Sequence, residues 1–281
     1  MQLLEPVFVL DLFLPVHQGL LQLLTRLNEE EWYLPTICTG WSVKDIALHL
    51  LGDDIGLLSR KRDGFDPFEK VYPQRHIDSW NDLVAYLNEM NALWVQATRR
   101  ISCELLCSLL MFTGEETYRY FTSLDPSAIG DRVSWAGPDP APVWLDIARE
   151  YTERWVHQQQ IRDAVNKPGL KERRFLAPVL ETFVRALPHT FREIQAGNGT
   201  HIHLIIAGDA GSAWSLLREN DHWVLGKTAP APVAASVSMD QETAWRLFTK
   251  GISKDEALQY TTFKGDQTLG LKVLDMVSII A

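Results

Sequence analysis

Cysteine is scarce in this chain: Cys38, Cys103 and Cys107 are the only three in 281 residues. An odd and sparse set excludes a disulfide-stapled scaffold and fits reduced, packed thiols in a cytoplasmic protein. Cys103 and Cys107 stand four apart, so a helix brings them together, but that spacing serves packing far more often than metal binding. Positive charge is also in short supply. Lys and Arg number 27 against 36 Asp and Glu, a formal charge of −9. Nucleic acid and anionic membrane both select clustered basic residues, so neither is an expected partner. Long uninterrupted apolar runs are missing as well. The N-terminal stretch MQLLEPVFVLDLFLPVHQGLLQLL starts without a basic segment, and Pro6, Asp11, Pro15 and His17 break it. It therefore reads as neither a signal peptide nor a membrane span, and a cytoplasmic location is expected. There is no internal repeat and no low-complexity tract.

What the chain does have is ordinary globular material. Hydrophobic residues make up 46% and charged residues 22%, with ten Trp, seven Tyr and eleven Phe, which is enough for a sizeable core and excludes a largely disordered chain. At about 150 residues per domain the length predicts two domains. The first two-thirds reads helical. Helices are predicted over 8–27, from 42 to about 60 behind a Ser42/Asp45 capping box, from Ser79/Asp82 to about 124 with a break near Ser102, over 143–165, and over 176–195 with Pro188 near the end. Connectors are expected at 63–75, with Gly64, Pro67 and Pro73, and at 125–142, with four prolines and two glycines. Past Gly197 the texture turns to β. HIHLIIAG (201–208) reads as a strand, SAWSLLRE and HWVLG as two strands turned at Asn220 and Asp221, and AASVSM as another. A helix over 241–251 and an amphipathic helical tail over 268–280 follow. The expected fold is a helical bundle over 1–170, a linking helix over 171–197, and a small α+β domain over 198–281.

The sharpest local feature is Glu153-Arg-Trp-Val-His157. Residues four apart on a helix project from one face, so this carboxylate and this imidazole can grip one divalent cation. A surface ion pair uses the same spacing. Both residues flank the apolar stripe of Ile147, Tyr151, Ile161 and Val165, as His49 flanks the stripe of Val43, Ile46, Leu50, Leu57 and Leu58. His49 is thus the natural third ligand, although a lone mid-helix histidine is commonly just a partly buried one. Asp53, one turn after His49, is placed to orient that imidazole or to act as a base, or else to be a plain exposed carboxylate. Arg154 and Arg162 are candidates to hold an anionic cofactor or substrate, or to be solvated or paired. His17, His76, His222 and the His201/His203 pair are poorer candidates for a metal.

The stretch WYLPTICTGWSVKDIALHL (32–50) resembles the opening of the mycothiol-dependent maleylpyruvate isomerase family, within the DinB/YfiT-like metalloenzymes. The resemblance implies a DinB-like four-helix bundle holding a divalent metal, usually zinc, with His49, Glu153 and His157 as ligands. AWRLF (244–248) and Gly265-Asp266 resemble the small sterol-carrier-like C-terminal domain of these proteins. Where several relatives carry an acidic residue shortly after the metal histidine, this chain has Gln158, Gln159 and Gln160.

The implied function is a metal-dependent isomerase or transferase. It would use a low-molecular-weight thiol, mycothiol or an analogue, on a small electrophilic substrate, as a monomer or homodimer. Two imidazoles and one carboxylate suit Zn, Ni, Fe or Mn. Two other readings use the same residues: a hydrolase with metal-activated water as nucleophile, and a metal- or ligand-binding protein without turnover.

Overall fold

Side-chain caps set where the helices start. In the computed structural model, which describes residues 1–65, 77–133, 135–137, 139–228 and 232–278, Ser42 and Asp45 close the predicted capping box and open α3 (Val43–Leu57). Before it come α1 (Leu10–Leu24) and the short α2 (Glu29–Trp32), opened by an Asn28/Glu31 box. A π-helical turn, Leu58–Arg62, extends α3. Ser79 caps α4 (Trp80–Thr98) and Ser102 caps α5 (Cys103–Thr122), the break predicted at that serine. The long α6 spans Val143–Ala164. Pro67, Pro73, His76 and Pro138, expected in connectors, lie outside the described residues.

Two predicted helices come out shorter or broken. The stretch 176–195 becomes α7 (Arg173–Phe183), a 3₁₀ turn (Val184–Ala186) and α8 (Leu187–Thr190), with Pro188 at the start of α8. Proline has no N–H to give to the preceding turn, and it favours the first positions of a helix. Among the described residues of the tail, which end at Ser278, α11 (Gln267–Val273) is the helical part, and the last two residues of the expected helix lie outside them. Ser278 then donates its N–H to Phe248 O at 2.9 Å and its hydroxyl to Phe183 O at 3.0 Å, which draws the backbone out of the helical path.

The sheet has six strands in the order β1-β6-β5-β4-β7-β8. These are β1 (Gln2–Leu3), β4 (His201–Ala207), β5 (Ser212–Glu219), β6 (His222–Thr228), β7 (Val233–Asp240) and β8 (Thr262–Gly265). Pairing is antiparallel except between β4 and β7. Asn220 and Asp221 turn the β5–β6 hairpin with φ of +46° and +62°, the left-handed pair that matches strand twist. Ile202, Leu204 and Ile206 alternate inward and register with Leu216 and Trp214 on one side and Ala235, Val237 and Met239 on the other. All eight are buried on one face, and α9 (Gln241–Phe248) touches β4 and β7. The edge strands β1 and β8, the helix α10 (Lys254–Leu258) and the hairpin of β2 (Ile129–Arg132) and β3 (Pro140–Pro142) carry no alternation long enough to announce themselves.

The chain thus has a helical N-terminal region followed by a mixed-sheet region. It divides into two compact units that interleave along the sequence. One comprises Met1–Val9, Asp125–Glu153 and Leu170–Ile280; the other comprises Leu10–Leu124 and Arg154–Gly169. Segments remote in sequence join the first unit through specific bonds. β1 pairs with β6, Tyr151 OH donates to Phe175 O at 2.9 Å, and Arg185 donates to Glu5 O. The second unit is a helical bundle whose core includes Leu20 and Leu24 of α1, Ile46 and Leu50 of α3, Val95 of α4, Leu106 and Leu110 of α5, and Ile161 of α6. Among the described residues no helix is long and apolar enough to cross a membrane.

His17 is buried in that bundle. Burial pushes its pKa below the ordinary 6.5, against the opposing pull of Asp54. An unfolded chain then takes up a proton that the folded one refuses, so His17 costs stability as pH falls below 6.5. Urea midpoints measured between pH 7 and 5.5 should fall more steeply for wild type than for His17→Gln. His189 and His203, whose pKa values burial also lowers, act equally in both proteins. Parallel slopes would show that His17 carries no such linkage.

Candidate metal centre

Two helices supply the site. On α3, His49 and Asp53 are one turn apart; on α6, Glu153 and His157 are one turn apart. One ligand atom from each of His49, Glu153 and His157 lies within 4.8 Å of the other two. A single ion spans such separations after small side-chain rotations, its bonds to N and O donors being about 2.0–2.2 Å. His49 and His157 are buried, and Glu153 is half-buried. The two imidazole rings meet edge to face with centroids 4.7 Å apart.

Neighbouring groups orient each histidine. His157 Nδ1 lies 2.7 Å from Gln160 Oε1. An amide oxygen only accepts, so Nδ1 carries the proton and Nε2 keeps its lone pair for a metal. Cys38 Sγ donates to the same oxygen at 3.3 Å. His49 Nε2 lies 3.2 Å from Asp53 Oδ2, and the Trp41 ring sits 5.2 Å from the His49 ring. Cys38 and Trp41 are held by a tight loop before α3. In it Thr36 Oγ1 donates to Trp41 O at 2.8 Å, Trp41 N–H donates to Cys38 O at 2.9 Å, and Gly40 takes φ +79°, a conformation that favours glycine.

Arg149 stands one turn before Glu153 on α6. Burial works to lower the Arg149 pKa, yet Glu150, Glu153, Asp146 and Asp131 together raise it above its ordinary value. Two imidazoles and a carboxylate fit a borderline divalent metal.

The predicted residues do not all meet here. His49, Glu153, His157 and Asp53 come together. Arg154 is buried and donates to Asp54, with its guanidinium 5.5 Å over the Phe13 ring. Arg162 donates to Pro168 O at 2.7 Å and to Gly19 O at 3.2 Å. Both arginines, candidates either to hold an anion or to be paired, donate to acceptors of the protein. The His201 and His203 rings stand 6.1 Å apart on β4, and His222 is exposed with Nδ1 2.7 Å from Asn220 O. Burial pushes both the Cys103 and Cys107 thiols up, as packed thiols require. Sequence reasoning assigned no role to Gln160, Cys38 or Trp41. For Gln160 the signal was present in its spacing, three residues after His157 on one helix face.

Replacing Gln160 by Leu removes the acceptor at His157 Nδ1 while keeping most of the side-chain volume. Zinc affinity, read by competition with a chromogenic chelator, is expected to fall about 10- to 100-fold. An unchanged affinity would mean that the contact does not orient the ligand.

The sequence profile described as the mycothiol maleylpyruvate isomerase N-terminal domain matches residues 13–162, more than half of the chain. Two solved structures are similar in fold. One is a histidine-to-alanine mutant of the mycothiol-dependent maleylpyruvate isomerase, 12% identical, with a TM-score of 0.52 and 91% of each chain covered. The other is the mycothiol-dependent maleylpyruvate isomerase, 14% identical, with a TM-score of 0.50 and 85% of this chain and 86% of that one covered. No curated protein sequence matches. With more than half of its length matched by that profile, the chain belongs to the mycothiol maleylpyruvate isomerase N-terminal domain family.

Proposed function

We propose that this protein is a metal-dependent enzyme that uses a low-molecular-weight thiol to isomerise a small electrophilic substrate, or to transfer the thiol to it. The observation that carries the metal half is the convergence of His49, Glu153 and His157 from two helices. Family membership supports the thiol half. Zinc suits the donors best, and Ni, Fe and Mn share them. A divalent cation, when bound, supplies positive charge and an open position at which a thiol sulfur is held as thiolate, the nucleophilic form. Mycothiol or an analogue would supply that sulfur: its addition breaks the carbon–carbon π bond to leave an enolate, the former double bond rotates, and the electron pair re-forms it as the thiolate leaves, whereas a proton returned to the enolate carbon leaves the thiol attached.

The chain's own residues do the rest. His49, Glu153 and His157 hold the cation. Gln160 keeps the His157 proton on Nδ1. Asp53, partly open to solvent beside His49, accepts the proton that the thiol loses. Arg154 and Arg162 enter as structural groups, since their guanidiniums bond the protein. A cytoplasmic setting, where small thiols are abundant and reduced, matches the sparse cysteines.

The test has two steps. Protein purified without a metal-affinity tag should carry stoichiometric divalent metal by elemental analysis, and His49→Ala should lose it. Chromophoric electrophiles are then offered with and without mycothiol, bacillithiol or glutathione. Turnover that depends on one added thiol is the expected result. Near-zero metal in both proteins would remove the metal from the proposal, turnover indifferent to thiol would point to hydrolysis, and bound metal without turnover would point to a binding protein.

A further inference from the structure

One group of buried polar side chains outside the ligand set draws four helices of the second unit together. Asp54 of α3 is 3% exposed. It accepts from Thr113 Oγ1 at 2.8 Å and from Thr117 Oγ1 at 3.1 Å, both on α5. Arg154 of α6, 7% exposed, donates to Asp54 Oδ1. On α1, Phe13 lies under the guanidinium, and His17 lines a small cavity with Asp54 and Arg154. The His17 ring packs so close to Gly114 that a Cβ there would come within 2.2 Å of Cε1. No side chain larger than hydrogen fits between α5 and that ring.

Each member of the ion pair is the chain neighbour of a site residue. Asp54 follows Asp53 and stands five residues after His49, about 7.5 Å along the axis. Arg154 follows Glu153 and precedes His157 by three. Within a helix these offsets are rigid, so joining Asp54 to Arg154 fixes how far α3 slides against α6 at the level where the three ligands must meet. Apolar residues of equal volume can match a buried ion pair in stability, but they tolerate repacking. A bidirectional match of charge and hydrogen-bond geometry does not.

We propose that the buried Asp54–Arg154 pair is a positioning device for the metal centre: it sets the register of α3 against α6 and acts on His49, Glu153 and His157 only through the helix backbones. The proposal rests on the metal reading of those three residues.

The decisive variant is the double substitution Asp54→Leu with Arg154→Met, which removes both charges, keeps most of the volume and leaves no unpaired ion. Zn²⁺ affinity by chelator competition and the visible bands of the Co²⁺-loaded protein read the ligand geometry. A double variant with a near-wild-type melting midpoint is expected to bind Zn²⁺ about 10- to 100-fold more weakly and to show displaced Co²⁺ bands. If it does not fold, Arg154→Lys, which keeps the charge but loses the planar fork, is read in the same way. Unchanged affinity and unchanged bands in a folded variant overturn the positioning role and leave the metal reading standing. Wild-type protein that binds no Zn²⁺ overturns the metal reading, and this proposal with it.

Discussion

A carboxylate and a guanidinium taken out of water lose several kcal/mol of hydration each, and only close, well-matched partners restore it. Asp54 meets that demand with three donors from two other helices: Arg154, Thr113 and Thr117. The rest of the bundle depends on this match. It fixes which turn of α3 faces which turn of α6. Every side chain one or two turns away inherits that register, including the two histidines and the glutamate. The aliphatic core around it, from Leu20 to Ile161, supplies cohesion but little direction.

The site also shows a division of labour between bonding and orientation. The groups that can reach a cation are few, and a second set decides which lone pairs they offer. Gln160 holds the His157 proton on Nδ1, which leaves the Nε2 lone pair free of it. Asp53 sits against His49, and Trp41 packs beside the same ring. Cys38 shares the Gln160 oxygen, which ties the loop before α3 to the end of α6. Glutamine is neutral where an acid would draw the histidine proton harder. A histidine so backed is less basic than one backed by a carboxylate, so it would pull less on a bound metal and leave that metal more electrophilic.

Local rules carried much of the fold. Capping chemistry at Ser42 and Ser79 located two helix starts, the break expected near Ser102 falls where that serine caps a new helix, and the Asn220-Asp221 turn located a hairpin. These signals are short-range, so they survive without knowledge of the tertiary setting. What escaped was non-local or too short to show a period. Gln2 and Leu3 become a strand only because β6 offers a partner, and the tail leaves its helix to bond Phe183 and Phe248. The site was legible to the same degree. Spacing and family resemblance singled out His49, Glu153 and His157, which the fold brings together. Spacing is silent on which way an arginine points, and Arg154 turns inward to an aspartate a hundred residues away.

The central claim is that these three side chains hold one divalent metal with a position left for sulfur from a small thiol. X-ray absorption at the zinc edge of the zinc-loaded protein reads those ligands directly. Two imidazoles and a carboxylate oxygen with no sulfur are expected at first, then one sulfur at about 2.3 Å once mycothiol or an analogue is added. Sulfur present before any thiol is added, which would implicate Cys38, or a first shell without imidazole, would contradict it.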